Sequence, residues 1–288
     1  MSTAPANSSS AAGFRAGLVQ MCSGRDVARN VRDACDLIRK AANAGADYIQ
    51  TPEVTTLMEL ERPRLLAEIQ PEQANTSLAA FTDLARDLRR WLHIGSMAVK
   101  LEDTRFANRS YLIDPNGRIT ARYDKIHMFD VDLGNGHVYH ESESYAPGEQ
   151  AVIADLPWGP LGLTICYDLR FPALHRALAK GGAQFIAAPA AFTRITGEAH
   201  WHTLLRARAI EVQSFVFAAA QGGVHENGRE TYGHSLIISP WGEILAEAGT
   251  EPDIVIADID LSRLEDVRRR IPSLTHDRAF NVVRAGDA

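Results

Sequence analysis

From Phe14 to Val99 the chain alternates between two hydrophobic periods, and this limits the folds open to it more than any other feature of its 288 residues. Phe14–Gln20 is an apolar run of strand length. Asp26–Ala44 then carries Val27, Val31, Ala34, Leu37, Ile38 and Ala41 on one helical stripe, which Gly45 ends. Tyr48-Ile49-Gln50 reads as a strand, Leu78–Trp91 as a second helix and His93–Val99 as a third strand. A β-α-β-α-β order calls for a parallel or mixed sheet with its helices outside.

Further on, Ala107–Asp114 and Arg118–Asp124 flank Asp114-Pro115-Asn116-Gly117, a hairpin signature. His127–Gln150 has little periodicity and much Gly, Asp, His and Glu, so it reads as a long surface excursion; such lengths usually carry function. Strands are expected at Ala151–Leu156, Leu161–Ile165, Gln184–Ala188 and Ser214–Ala220, and helices at Phe171–Lys180 and Glu198–Glu211. Gly233–Ser239, Glu243–Glu247 and Ile254–Ile259 read as a closing antiparallel group that turns at Pro240-Trp241-Gly242, before a helix over Leu261–Ile271. No repeat and no Pro/Gly/Ser-rich linker divides the chain. Residues 14–288 are therefore expected to form one domain behind a disordered tail, residues 1–13.

Charge narrows the partners. A net charge of −6 and an isoelectric point near 5.9 argue against nucleic acid or an anionic membrane surface, since both need a basic face. A small or neutral substrate fits better. The three cysteines, Cys22, Cys35 and Cys166, form no CxxC pair, which indicates neither a disulfide framework nor a zinc ribbon and points to a reducing cytoplasm. The first residues lack the basic and apolar regions of a signal peptide, and no stretch approaches the roughly 20 apolar residues of a membrane span.

The chemistry collects at strand ends. Leu161-Gly162-Leu163-Thr164-Ile165 leads into Cys166 and then into a turn and a helix start, a corner where backbone N–H groups face a developing anion. On this stretch alone Cys166 could equally be a small core hydrophobe. Glu53, after Thr51-Pro52, and Lys125, after Tyr123-Asp124, stand at two further strand ends. An acid, an ammonium and a thiol together suit attack on an amide or nitrile: the thiolate attacks, the carboxylate takes its proton, and the cation holds the oxyanion.

Pro52-Glu53, Tyr123-Asp124-Lys125-Ile126-His127 and Ile165-Cys166-Tyr167-Asp168-Leu169-Arg170-Phe171-Pro172 resemble, in order and spacing, the Glu-Lys-Cys signature of the nitrilase, or carbon–nitrogen hydrolase, superfamily. Glu141-Ser142 with Pro147-Gly148, Thr196-Gly197-Glu198-Ala199-His200-Trp201, Arg206-Ala207-Arg208-Ala209-Ile210-Glu211 and Gly233-His234-Ser235 with Pro240-Trp241-Gly242 extend the resemblance over nearly the whole chain. It implies an α-β-β-α sandwich, with Glu53 as general base, Lys125 on the oxyanion, Cys166 as nucleophile and Glu141 as a second carboxylate. The Tyr167 backbone N–H would complete the oxyanion hole, and Phe192 and Thr196 would be pocket walls. Within the superfamily the chain looks most like the amidases of the deaminated-glutathione and omega-amide type. Thr51 replaces an apolar residue often found before Pro-Glu, and Glu198 stands where this branch often has Pro.

Arg170 has two readings: a clamp for a substrate carboxylate, or a brace paired with Asp168. His200 and His202 point to opposite sides of a helix and so make no metal pair, Arg268-Arg269-Arg270 reads as a solvated face, and Asn108-Arg109-Ser110 is a glycosylation sequon placed in a strand. The expectation is a thiol amidase for a small carboxylate-bearing amide, cytoplasmic, needing no metal or cofactor and working as a homodimer or larger homo-oligomer. Omega-amides and N-carbamoyl amino acids are alternative substrates. Two readings compete from outside that class: a scaffold that has lost turnover, and a Cys-His-Asp hydrolase using His127 or His234.

Overall fold

The structure, a computed structural model, describes residues 13–102, 105–134 and 136–286. The tail expected over residues 1–13 thus lies, apart from Gly13, outside the described residues. In chain order the first half comprises β1 (Phe14–Gln20), α1 (Val27–Asn43), β2 (Tyr48–Gln50), α2 (Arg62–Glu68), α3 (Thr76–Leu88), β3 (Trp91–Lys100), β4 (Phe106–Ile113), β5 (Ile119–Asp124), β6 (Asp130–Asp132) and β7 (Val138–His140). The second half comprises β8 (Val152–Leu156), β9 (Gly159–Leu163), α4 (Pro172–Lys180), β10 (Phe185–Ala187), α5 (Arg194–Val212), β11 (Phe215–Ala218), β12 (Gly222–Val224), β13 (Glu230–Tyr232), β14 (Leu236–Ile238), β15 (Ile244–Glu247), β16 (Asp253–Ile259) and α6 (Ser262–Arg270).

Two six-stranded mixed sheets result, one in the order β16-β1-β2-β3-β4-β5 and the other β15-β14-β11-β10-β9-β8. Their facing sides close one core. Phe14 stacks on Trp158 at 4.2 Å and presents its face or edge to Phe185 and Phe217, while Leu18, Tyr48 and Leu112 meet Leu161, Leu163 and Phe217. On the outer side of the first sheet Val19, Ile49, Leu92 and Ile94 pack against Ala34, Ile38 and Ala41 of α1 and Phe81 and Leu84 of α3. Leu178 of α4 and Leu205 and Ala209 of α5 cover the second sheet. This is the α-β-β-α sandwich. Two buried amides tie the sheets together: Gln50 Oε1 accepts the Ala219 N–H at 3.0 Å, and Gln20 Oε1 accepts that of Ser235 at 2.9 Å.

Local chemistry moves several boundaries. Arg89 takes a left-handed φ of 54° and ends α3, so Trp91 opens β3 instead of closing the helix. Thr193 caps α5 by accepting from Thr196 N, which starts that helix at Arg194, four residues ahead of the expected Glu198, and puts Thr196 in its first turn. The excursion after His127 contains the short β6–β7 pair. The closing group is also divided. β14 and β15 form the hairpin, but β16 leaves it and pairs antiparallel with β1 in the other sheet. Both faces of β16 are apolar: Val255 and Ile259 enter the core between the sheets while Ile254 and Ile256 lie against the α1 layer. Only a place beside β1 buries both.

Candidate active site

Cys166 follows β9 after Thr164 and Ile165 and has φ of 50°, a left-handed backbone that an L-residue adopts only where its surroundings hold it. They do. Its N–H donates to Pro189 O at 2.9 Å, beyond the end of β10, and Asp168 fixes the turn from within. Asp168, fully buried, accepts from Ile165 N at 2.9 Å, Tyr123 OH at 2.6 Å, and His127 N and Nδ1 at 3.0 and 2.7 Å. Tyr123 and His127 hold Asp168; Arg170 does not. The bracing alternative for Arg170 is therefore corrected: the acid it needed is already committed to Ile165, Tyr123 and His127.

Facing the thiol, Glu53 lies just past β2 and Lys125 just past β5, 4% and 2% exposed, with Cys166 at 7%. Lys125 Nζ donates to Glu53 Oε1 at 2.9 Å and to both oxygens of Glu141 at 3.0 and 2.8 Å. Glu53 Oε2 accepts from Ala191 N at 2.9 Å, and the carboxylate and the Cys166 thiol line the same cavity. Glu141, at the end of β7, also accepts from Phe129 N at 2.7 Å. The excursion thus delivers one carboxylate to the lysine and braces it with its own backbone.

Burial and pairing set the resting charges. Burial pushes the Cys166 thiol well above its usual range, and the Glu53 charge adds to this, so the resting sulfur keeps its proton. Burial would raise Glu53 too, but Lys125 and the hydrogen bonds outweigh it and hold the carboxyl below its ordinary value. Lys125 is driven down by burial and carried well above its ordinary value by Glu141 and Glu53. The resting site thus holds a neutral thiol, an ionised carboxylate and a paired ammonium.

These groups line a cavity of about 340 Å³ whose wall also includes Tyr167, Arg170, Phe192 and Thr196. Every site residue named from the sequence is at this one cavity. The Arg170 guanidinium lies 5.3 Å from the Phe192 ring and 6.0 Å from that of Tyr167, and no carboxylate among the described residues pairs with it. His127 stacks on Phe171 at 3.5 Å, and His234 is bonded to Glu247; neither donates to nor accepts from Cys166, which leaves the Cys-His reading without its central contact. His202, His234 and Glu247 form the one cluster of metal-ligating side chains among the described residues, and none of the three lines the cavity.

Two wall residues escape sequence reasoning. Asn108 of β4 donates from Nδ2 to Glu53 Oε1 at 2.9 Å and to Glu141 Oε1 at 3.2 Å, so the sequon asparagine is a buried bridge between the two carboxylates. Its strand position was legible, but the neighbours that give it meaning lie 55 and 33 residues away in sequence. Arg229, between β12 and β13, donates to Ala191 O at 2.6 Å and lies 5.3 Å from the Tyr139 ring. Nothing local in Asn227-Gly228-Arg229 announces that.

The carbon–nitrogen hydrolase family profile matches residues 15–269. A deaminated glutathione amidase of Yersinia enterocolitica is 41% identical over 267 residues, 91% of this chain and 92% of that protein. Omega-amidase NIT2 of Bos taurus is 33% identical over 92% of this chain and 95% of its own length. The crystal structure of the Caenorhabditis elegans NitFhit protein superposes with a TM-score of 0.86 at 35% identity, covering 92% of this chain and 65% of that longer one. The chain belongs to the carbon–nitrogen hydrolase family. Within it, the chain is an amidase, a hydrolase of carbon–nitrogen bonds in small amides.

Proposed function

We propose that the protein hydrolyses a small amide carrying a carboxylate, of the deaminated-glutathione kind, through a thioester on Cys166, giving the acid and the amine of the scissile bond: Cys-Gly from deaminated glutathione, ammonia from a primary omega-amide. The observation that carries this reading is Lys125 bonded to Glu53 and Glu141 in the cavity that the Cys166 thiol also lines. In the first half-reaction Sγ attacks the amide carbon as its proton passes to Glu53, and the carbonyl electron pair moves onto oxygen. Lys125 Nζ and the Tyr167 N–H, at the start of a turn where it lacks an intrahelical acceptor, stabilise that oxyanion. Collapse breaks the C–N bond as Glu53 returns its proton to the departing nitrogen, which leaves as the free amine, or as ammonia where the amide is primary. Water then attacks the thioester, Glu53 takes one proton from it, and the second collapse releases the acid and restores the thiol. Glu141 keeps Lys125 charged and aimed; it exchanges no proton in this scheme.

Arg170, set between two aromatic rings with no acidic partner, is the group for a remote carboxylate. Such a bidentate contact contributes roughly 1.5–3 kcal/mol, about one to two decades in kcat/KM. The assembly proposed is a homo-oligomer in the cytoplasm: Ile210, Trp241 and Ile271 leave large apolar side chains 51, 44 and 49% exposed. Among the described residues no helix is long and apolar enough to cross a membrane.

The deciding experiment measures Cys-Gly release from deaminated glutathione and ammonia release from omega-amides and N-carbamoyl amino acids, with intact-mass analysis of trapped Glu53→Gln. Cys166→Ala is expected to be inactive but folded, and Glu53→Gln to carry one acyl group on Cys166; an adduct on Cys22 or Cys35 overturns the assignment. Arg170→Ala is expected to lower kcat/KM for the carboxylate substrate about 10- to 100-fold while sparing its neutral methyl ester, with Arg170→Lys recovering only a fraction. Equal losses on both substrates refute the carboxylate clamp.

A further inference from the structure

On the outer side of the second sheet, away from the cavity, three side chains from three elements converge on one point. His202 Nε2 of α5 lies 2.9 Å from Glu247 Oε1 of β15, and His234 Nδ1, two residues before β14, lies 2.8 Å from the same oxygen. All three donor atoms fall within 4.8 Å of one another. Two ring nitrogens and a carboxylate oxygen from three separate elements thus meet at one point. We propose that His202, His234 and Glu247 form a binding site for a single divalent transition ion of the zinc type, separate from the amidase centre.

The donor set suits such an ion. Two imidazole nitrogens and one carboxylate oxygen are a common three-ligand set for zinc, with solvent completing the tetrahedron. Ligands about 2.0–2.1 Å from a tetrahedral ion stand roughly 3.3 Å apart. Rings at 2.8 and 2.9 Å from the oxygen therefore need to open by only about half an ångström. The three side chains are 32, 26 and 34% exposed, enough for an ion and its waters to reach them.

The rings are already oriented. His234 holds a left-handed φ of 54°; its N–H donates to Gly249 O and its C=O accepts from Trp201 Nε1, both at 2.8 Å. Tyr232 stacks on the His234 ring at 4.4 Å and stands edge-on to that of His202 at 5.9 Å. Little ordering remains to be done when the ion arrives, which is what favours binding over a loose surface encounter. His200 plays no part, for it reaches toward Arg170 on another side of the helix. The argument that His200 and His202 cannot share a metal therefore stands, while His202 finds its partners across the fold.

The ion would tie α5 to the β14–β15 hairpin. Trp201, adjacent to His202, packs against Phe192 of the cavity wall at 4.9 Å, so the clasp would stiffen that wall without touching the reacting atoms.

The test uses untagged full-length protein freed of metal by a chelator and titrated with Co2+, followed by Zn2+. One equivalent of Co2+ is expected to give visible d–d bands without the near-ultraviolet thiolate band a cysteine ligand would add. Zn2+ should displace it and raise the melting temperature. His202→Ala, His234→Gln and Glu247→Gln should each weaken Co2+ binding about tenfold or more, and His200→Ala should leave it unchanged. Glu247→Gln nearly preserves shape, so its metal-free melting temperature, expected to be close to that of the wild type, separates lost ligation from lost folding. No saturable Co2+ binding below about 1 mM, a thiolate band, or undiminished binding in all three ligand variants would overturn the proposal.

Discussion

Asn108 shows how much one amide can decide. It lies between Glu53 and Glu141 and donates to both, and its bond to Glu53 favours the ionised form of that carboxyl. Replacing it by Leu removes a donor from buried Glu53 and from half-buried Glu141, and hydrogen bonds to charged groups contribute about 1.5–3 kcal/mol each. The loss acts on Glu53 as a base. Asn108→Leu is expected to lower kcat/KM by about one to two decades and to move the acid limb of its pH profile to higher pH, since a carboxylate deprived of a donor holds its proton more tightly. Asn108→Asp should lose at least as much, because a third acid would share one lysine. Steady-state kinetics between pH 4 and 9 provides the check; a fall in rate with an unmoved acid limb would reduce Asn108 to a packing role.

At the scale of elements, close approach between strands and loops sets the site's precision. Gly95 in β3 is where the first sheet passes nearest the turn that pins Cys166: a β-carbon there would lie 2.1 Å from Thr51 O and 2.5 Å from Pro189 Cβ. Pro189 is the acceptor for Cys166 N. Gly95→Ala is therefore expected to cost about 1–3 kcal/mol of stability and to reduce kcat/KM more than tenfold by shifting Pro189, read from urea midpoints beside ammonia release. A variant that is destabilised but fully active at low temperature contradicts the coupling. The strands bearing Glu53, Lys125 and Cys166 were legible because each is a hydrophobic run broken by turn chemistry, and ordered motifs mark their ends. β6–β7 and β12–β13 were not, being three-residue strands held by distant groups: Arg229 by Ala191 O, and the His225 ring by Ser23 O and Thr231. The sheet chosen by β16 was equally hidden, since its alternation records two apolar faces but not which layers cover them. Arg170 needed the fold as well, because only the partners of Asp168 remove its bracing role.

For the whole molecule, acid sensitivity follows from a buried imidazole. His93 contacts Tyr48 OH at 2.7 Å and Ser110 Oγ at 2.6 Å in the interior of the first sheet, and burial pushes it down to about 3. Below about pH 6.5 the unfolded chain protonates this ring and the folded chain does not, so stability falls as pH falls, by about 1.4 kcal/mol per unit until the folded pKa is reached. His93→Gln should be less stable near pH 7 yet lose less on acidification to pH 4, as urea midpoints at each pH would register; identical slopes would exclude His93 as a source. The division of the site between the two sheets carries a different consequence, one of timing. Glu53, Asn108 and Lys125 ride on the first sheet, and Cys166 and Ala191 on the second. A nascent or refolding chain with both halves formed but not yet docked has a sulfur apart from the base and the oxyanion cation proposed for it. Turnover therefore begins only at docking, so the return of ammonia release during refolding times the closing of the sandwich, whereas chain collapse and helix formation pass without a catalytic signal.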